Sequence, residues 1–152
     1  MTSSPVILLV EDDPSDILFL KRAFERIAVR HPLVLADTGR RAIELLSAVG
    51  AQTDRIADPA PTHILMDLKL PEQSGLEVLE WIRRESSFRT IPVSILTSSK
   101  EERDIRRAKE LGVDCYFVKP MSFTMLLKNS VSPLKLKSRE SPFIGDRRLR
   151  LG

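Results

Sequence analysis

Four short polar clusters in this chain each close an apolar run. Glu11-Asp12-Asp13 follows residues 6–10, Asp67 follows 63–66, Thr97-Ser98 follows 91–96, and Lys119-Pro120 follows 115–118. Taken alone, an aspartate after a strand begins a turn. Together the clusters make a chemical set. Three consecutive acids repel one another unless a cation lies among them. Oxygen-only ligation suits Mg²⁺, which keeps several waters and takes one or two carboxylates plus a phosphate oxygen. A lysine adds a positive point charge and a threonine hydroxyl adds a donor for a phosphoryl group. The set is suited to moving phosphate onto a carboxylate nucleophile.

Such groups meet only if the elements bring them to one edge. Residues 6–10 form a run closed by acids, as in a strand buried on both faces. Pro14 suits the first turn of a helix, with Asp13 as its cap, and Ile17, Leu20, Phe24 and Ile27 make one apolar stripe. Residues 33–36 read as a second strand. Thr38 caps a helix that turns Ala42, Ile43, Leu45, Leu46 and Val49 inward. Residues 51–62, with two prolines and no periodicity, form a long connection for a compact α/β unit. A strand at 63–67, a helix with Leu76, Leu79 and Ile82 inward, and a strand at 91–97 follow. A charged helix at 100–111 stops at Gly112, a strand runs over 115–118, and a last helix starts near Ser122 and is cut short by Pro133. Five strands alternating with five helices predict an α/β fold, a doubly wound five-stranded parallel sheet. Ligands of such sheets bind beyond the carboxyl ends of the strands, where all four clusters fall.

Composition narrows the function classes. A chain of 152 residues with 42% apolar and 30% charged residues is expected to form one domain with a real core. No apolar run reaches the length of a bilayer span, residues 1–5 start no signal peptide, and the single Cys115 builds neither a disulfide framework nor a cysteine metal site. A cytoplasmic protein with no membrane partner is the expectation. The net charge of +3 is uneven: residues 133–152 hold six Lys/Arg and two acids, which leaves residues 1–132 at −1. The basicity belongs to a tail, so nucleic acid is an unlikely ligand of the body.

The quoted segments ILLVEDDP at 7–14, ILMDLKLPEQSGLEVL at 64–79, PVSILTSS at 92–99 and GVDCYFVKP at 112–120 resemble those of response-regulator receiver domains, CheY-like in type. The thirty residues from Asp67 to Thr97 and twenty-two from Thr97 to Lys119 also match that family. The resemblance implies the flavodoxin-like (βα)5 receiver fold over 1–132, with 133–152 a basic tail that is disordered or a dimer arm. It implies that Asp67 takes a phosphoryl group from a phosphohistidine on a sensor histidine kinase. Glu11 and Asp12 would be the acidic pair, Asp12 the direct Mg²⁺ ligand together with Asp67, and Lys69 a ligand through its backbone carbonyl. Thr97 and Lys119 would meet the phosphoryl group, Thr97 and Tyr116 would form the switch pair, and the Lys119-Pro120 bond would be cis. Lys69 and Ser99 fall where receivers tune the lifetime of the phosphoryl group.

The helix PSDILFLKRAF and the 51–62 insertion resemble single-domain receivers that serve phytochrome-like kinases. That narrower likeness implies a light-sensing kinase partner and a homodimer through the last strand, last helix and tail. A stand-alone response regulator, enzymatic only toward its own phosphorylation, is the reading that results. Its rivals are a receiver-like adaptor that takes no phosphate, and an aspartyl-nucleophile phosphatase. The latter commonly needs an acid two residues after the nucleophile, where this chain has Lys69.

Overall fold

The computed structural model describes residues 6–26, 33–50 and 60–119. Among them run five strands, β1 (Ile7–Val10), β2 (Leu33–Ala36), β3 (His63–Met66), β4 (Val93–Thr97) and β5 (Cys115–Val118). They alternate with four helices, α1 (Pro14–Arg26), α2 (Gly39–Gly50), α3 (Gly75–Arg84) and α4 (Glu102–Glu110). All neighbouring strands pair in parallel, in the order β2-β1-β3-β4-β5. The last helix, the Lys119-Pro120 bond, residues 51–59 of the insertion and the 133–152 tail lie outside the described residues.

The strands are apolar on both faces because helices cover both. Ile7, Leu9, Leu65, Leu96, Cys115 and Phe117 pack with Leu20, Ala23 and Phe24 of α1. Leu8, Val10, Ile64, Met66, Val93, Ile95 and Tyr116 pack with Ala42 and Leu46 of α2, Val78, Leu79 and Ile82 of α3, and Ala108 of α4. The period-two alternation thus divides one sheet between two cores. The expected stripe of α3 is shifted: Val78, Leu79 and Ile82 are fully buried, whereas Leu76 packs only against the margin. The fourth strand begins at Val93 rather than at Ile91, whose N–H is turned back to the Phe88 carbonyl at 3.1 Å. The charged helix begins at Glu102 rather than at Lys100, and Gly112, at φ +72°, ends it as the sequence leads one to expect.

Caps and register decide where the strand ends lie. Asp13 Oδ1 accepts the N–H of Ser15 at 2.8 Å and of Asp16 at 3.4 Å, and Thr38 Oγ1 accepts that of Arg41 at 2.9 Å, so both expected caps form. Val10 is level with Met66 across the β1/β3 ladder, and Thr97 is level with Val118 across β4/β5. The residues that follow, Glu11, Asp67 and Lys119, therefore leave the sheet on one edge. The strand order reverses between β1 and β3, which is the switch point where such sheets bind ligands.

The loop after β3 is the tightest part of that edge. Gly75 N–H donates to the Leu68 carbonyl at 2.8 Å. A Cβ on Gly75 would lie 2.2 Å from the Asp67 carbonyl oxygen and 2.7 Å from Leu68 Cα, both backbone atoms. Ser74 caps α3 by accepting the Glu77 N–H at 3.2 Å, and its hydroxyl reaches Glu77 Oε1 at 3.2 Å, a serine–glutamate capping pair. Between them, Gln73 N–H closes a three-residue turn on the Pro71 carbonyl at 2.8 Å, with Glu72 held at φ +70°. That is the rare strained γ-turn. Two substitutions separate these effects in urea unfolding. Gly75→Ala is expected to lower stability by about 2 kcal/mol or more, since backbone must shift. Glu72→Gly is expected to raise it by about 1 kcal/mol through relief of the left-handed strain. Equal midpoints for Gly75→Ala and the parent would mean that the helix start can move away from Asp67.

Candidate functional site

The site begins with Glu11, which leaves β1 and is only 1% exposed. Its Oε2 accepts the N–H groups of Asp12 at 3.1 Å and Asp13 at 3.3 Å, which turns the carboxylate inward over the sheet edge. Asp12 stays exposed beside it. Asp67 follows β3, is 7% exposed, and accepts the Lys69 N–H on Oδ1 at 3.1 Å. Ligand oxygens of Glu11, Asp12 and Asp67 all lie within 4.8 Å of one another.

Lys119, at the end of β5, reaches across this group. Its Nζ lies 2.6 Å from Glu11 Oε1, 3.0 Å from Asp67 Oδ2 and 2.7 Å from Asp16 Oδ2. Burial alone would weaken the ammonium, but the hydrogen bonds it donates to Asp16, Glu11 and Asp67 outweigh this and hold the Lys119 pKa well above the usual lysine value. Glu11 moves the other way in effect: burial raises its pKa above that of an ordinary carboxyl, and Lys119 offsets only part of this. One ammonium is at the same time shared among Glu11, Asp16 and Asp67, with Asp12 alongside. Asp16 was not singled out by the sequence reading. It lies in the first turn of α1, and only the path of that helix over the strand ends brings it to Lys119.

The same charge imbalance bears on a metal. The donors are all carboxylate oxygens, the chemistry that Mg²⁺ prefers, and opposite ligands of an octahedral Mg²⁺ lie about 4.2 Å apart. A spread of at most 4.8 Å needs only small side-chain movements to match this. The residues therefore fit a hard divalent cation, and Glu11, Asp12 and Asp67 would hold it. Lys69 turns its side chain to solvent, while its backbone is tied to Asp67.

Thr97, Tyr116 and Ser99 form a second cluster beside the first. Thr97 is fully buried at the end of β4, and its Oγ1 accepts the Ser99 N–H at 3.4 Å. Tyr116 is fully buried too, with its hydroxyl donating to the Ser99 carbonyl at 3.0 Å. Burial pushes the phenol pKa up to about 12, so the hydroxyl remains a donor. Ser99 commits its own hydroxyl to Asp104 of α4, at 2.5 Å, and also accepts the Glu101 N–H at 3.3 Å. Ser99 thus faces α4 through its side chain, while Lys69 borders Asp67. Cys115, buried and raised to about 11 by that burial, is a core residue, as its strand position implied.

The arrangement can present a carboxylate nucleophile beside a lysine, with acids able to hold a cation and a buried hydroxyl on the neighbouring strand. Similarity to known proteins points the same way. Residues 7–130 match the response regulator receiver domain family. The chain is 36% identical to the probable methanogenesis regulatory protein FilR2 of Methanothrix harundinacea, covering 86% of this chain and 81% of that protein. It is 35% identical to response regulator Rcp1 of Synechocystis, covering 81% of this chain and 82% of Rcp1. A crystal structure of Rcp1 in its Mn(2+)-bound form aligns with TM-score 0.74 at 32% identity, over 91% of this chain and 99% of that one. The phosphorylated cyanobacterial phytochrome response regulator RcpA aligns with TM-score 0.75 at 31% identity, over 88% and 96%. Among the described residues no helix is long and apolar enough to cross a membrane. With its parallel sheet in flavodoxin-like order, its acidic edge and a family match across most of its length, the chain belongs to the response regulator receiver domains.

Proposed function

We propose that this receiver is a response regulator of a two-component phosphorelay that accepts a phosphoryl group on Asp67. The observation that carries the reading is the Lys119 ammonium 3.0 Å from Asp67 Oδ2, with Glu11 and Asp12 beside the same carboxylate. Asp67, nearly buried and steered by the Lys69 N–H, attacks phosphorus as the phosphorus–nitrogen bond of a kinase phosphohistidine breaks. Glu11, Asp12, Asp67 and the Lys69 backbone carbonyl would hold Mg²⁺, which would supply charge neutralisation for the phosphoryl oxygens. Lys119 gives up part of its bonding to Asp67 and pairs with the new phosphoryl group. Thr97 donates its hydroxyl proton to a phosphoryl oxygen, and Tyr116 responds to that movement. The protein promotes only its own phosphorylation and dephosphorylation.

The likeness to RcpA, a phytochrome response regulator, supports a phytochrome-like histidine kinase as donor; the reading also includes a homodimer through the last strand, last helix and tail. The reading places the protein in the cytoplasm with that kinase. Its output is a change in protein contacts, or passage of phosphate to a further relay protein.

Intact mass after incubation with acetyl phosphate and Mg²⁺ tests the reading. One added phosphoryl group is expected in the parent, and none in Asp67→Asn or without metal. A folded, Mg²⁺-binding protein that gains no mass would be an adaptor instead. Calorimetric Mg²⁺ titration gives a second check. Two positive charges about 4 Å apart repel by about 4 kcal/mol for unit charges at an effective permittivity of 20. Lys119 can retreat to Asp16, so only part of this opposes the ion. Lys119→Met is expected to bind Mg²⁺ about tenfold more tightly, roughly 1.4 kcal/mol, while taking up phosphate more slowly. Weaker Mg²⁺ binding in Lys119→Met would show that the lysine orders the acids rather than competing with the ion.

A further inference from the structure

Both buried acids of the candidate cation group have every carboxylate oxygen engaged. Glu11 gives Oε1 to Lys119 and Oε2 to the N–H groups of Asp12 and Asp13. Asp67 gives Oδ2 to Lys119 and Oδ1 to the Lys69 N–H. These N–H groups are uncharged and belong to backbone beside each acid, so they oppose a cation far less than an ammonium does. Lys119 opposes it with a full charge, and it is also the partner on a flexible stem. An ammonium has three N–H bonds to give. Here they go to Glu11 at 2.6 Å, Asp16 at 2.7 Å and Asp67 at 3.0 Å.

Asp16 differs from the other two acceptors. It comes from the first turn of α1 rather than from a strand end, and it is not among the acids whose ligand oxygens gather within 4.8 Å. Its side chain is 34% exposed, against 2% for Glu11 and 9% for Asp67. A Lys119 ammonium that shifts toward Asp16 therefore moves toward water and still keeps a charged acceptor.

We infer that Asp16 is a positioning residue, the seat that receives the Lys119 ammonium when Glu11, Asp12 and Asp67 take up Mg²⁺. The inference deepens the phosphoryl-acceptor reading of Asp67 and rests on it for its use, though not for its geometry. Without the Asp16 carboxylate, Lys119 has only Glu11 and Asp67 to pair with, and it stays on the oxygens that the ion needs. With it, the ammonium moves aside yet remains within reach of Asp67, where a phosphoryl oxygen draws it back.

Calorimetric Mg²⁺ titration of the full chain tests this in four proteins: the parent, Asp16→Asn, Lys119→Met and the double variant. Each is first shown to be folded by circular dichroism and thermal melting. Asp16→Asn keeps the size of the side chain and removes its charge. In the parent background it is expected to weaken Mg²⁺ binding about tenfold, on the scale set by one hydrogen bond between charged groups. In the Lys119→Met background the same change is expected to cost about threefold or less, the share of a nearby charge acting through water and salt. Asp16→Glu, which restores a carboxylate, should fall between Asp16→Asn and the parent.

Equal weakening in the two backgrounds would make Asp16 a plain neighbouring charge and overturn the inference. A larger loss in Lys119→Met than in the parent would make Asp16 an ion ligand itself, which overturns it too. So would unchanged affinity in Asp16→Asn, or a parent that binds no Mg²⁺. If the parent binds Mg²⁺ yet gains no mass with acetyl phosphate, the reading of Asp67 fails, and the four affinities still decide whether Asp16 receives Lys119.

Discussion

One shared cation organises the working edge of this domain. Lys119 Nζ touches Glu11 from β1, Asp67 from β3 and Asp16 from α1, all within 3.0 Å. Each of these acids arrives by a different stretch of chain, and the parallel register of β1, β3, β4 and β5 makes their meeting possible. A slip of one residue on β3 would carry Asp67 to the other face and leave Lys119 with Glu11 and Asp16 alone. Both faces are covered, so that slip would also swap Leu65 and Met66 between two cores packed around different side chains. Core packing and site geometry are thus one constraint, enforced by the two hydrophobic layers.

The opposite edge is held in another manner. Arg83, on the last turn of α3, donates to the carbonyls of Leu111 and Ile91 at 2.7 Å each, and to those of Arg89 and Gly112 at 3.0 Å each. One guanidinium thereby fastens the end of α4, the entry to β4 and the end of its own helix, which suits its fork of donors. Asp114 adds a carboxylate bond to Val93 N–H at 3.0 Å, close to the same corner. The C-terminal end of α4 is therefore held through the Leu111 and Gly112 carbonyls by the Arg83 guanidinium, while its first turn is joined to the end of β4 through Asp104 and Ser99.

Much of this could be read from residue order. The five apolar runs were legible because strands buried on both faces have little freedom in composition, and the strands β2 and β5 lie where the runs do. The caps Asp13 and Thr38 were legible because their hydrogen bonds are local. Glu11, Asp12, Asp67 and Lys119 were legible because each sits just past a strand, and parallel strands place such positions together. Three features were not. Asp16 matters through the direction of α1 over the sheet, which no local pattern specifies. Ser99 reads as a helix-capping or lifetime-setting hydroxyl, yet its side chain goes to Asp104, because α4 starts two residues later than its charge pattern implied. Arg83 reads as one basic residue among several on a helix end, and its four carbonyl partners come from segments up to 29 residues away.

The charge distribution accounts for why this edge, rather than the Arg83 edge, is suited to switching. At Arg83 the donors and acceptors are matched, and most of the acceptors are backbone atoms that cannot leave. At Lys119 three carboxylates, two of them nearly buried, share one ammonium with a fourth, Asp12, beside them, and burial already pushes the Glu11 carboxyl toward its neutral form. An arrangement with unmet charge has more than one near-equivalent solution: Lys119 can favour Asp67, Glu11 or Asp16, and added positive charge among the acids changes which it chooses. A phosphoryl group on Asp67 adds negative charge and acceptor oxygens at that same place. Lys119 would then be drawn toward Asp67, and Glu11 and Asp16 would lose their share of it. An electrostatic deficit of this kind, on a fold rigid enough to sustain it, is what two alternative arrangements of the edge would require.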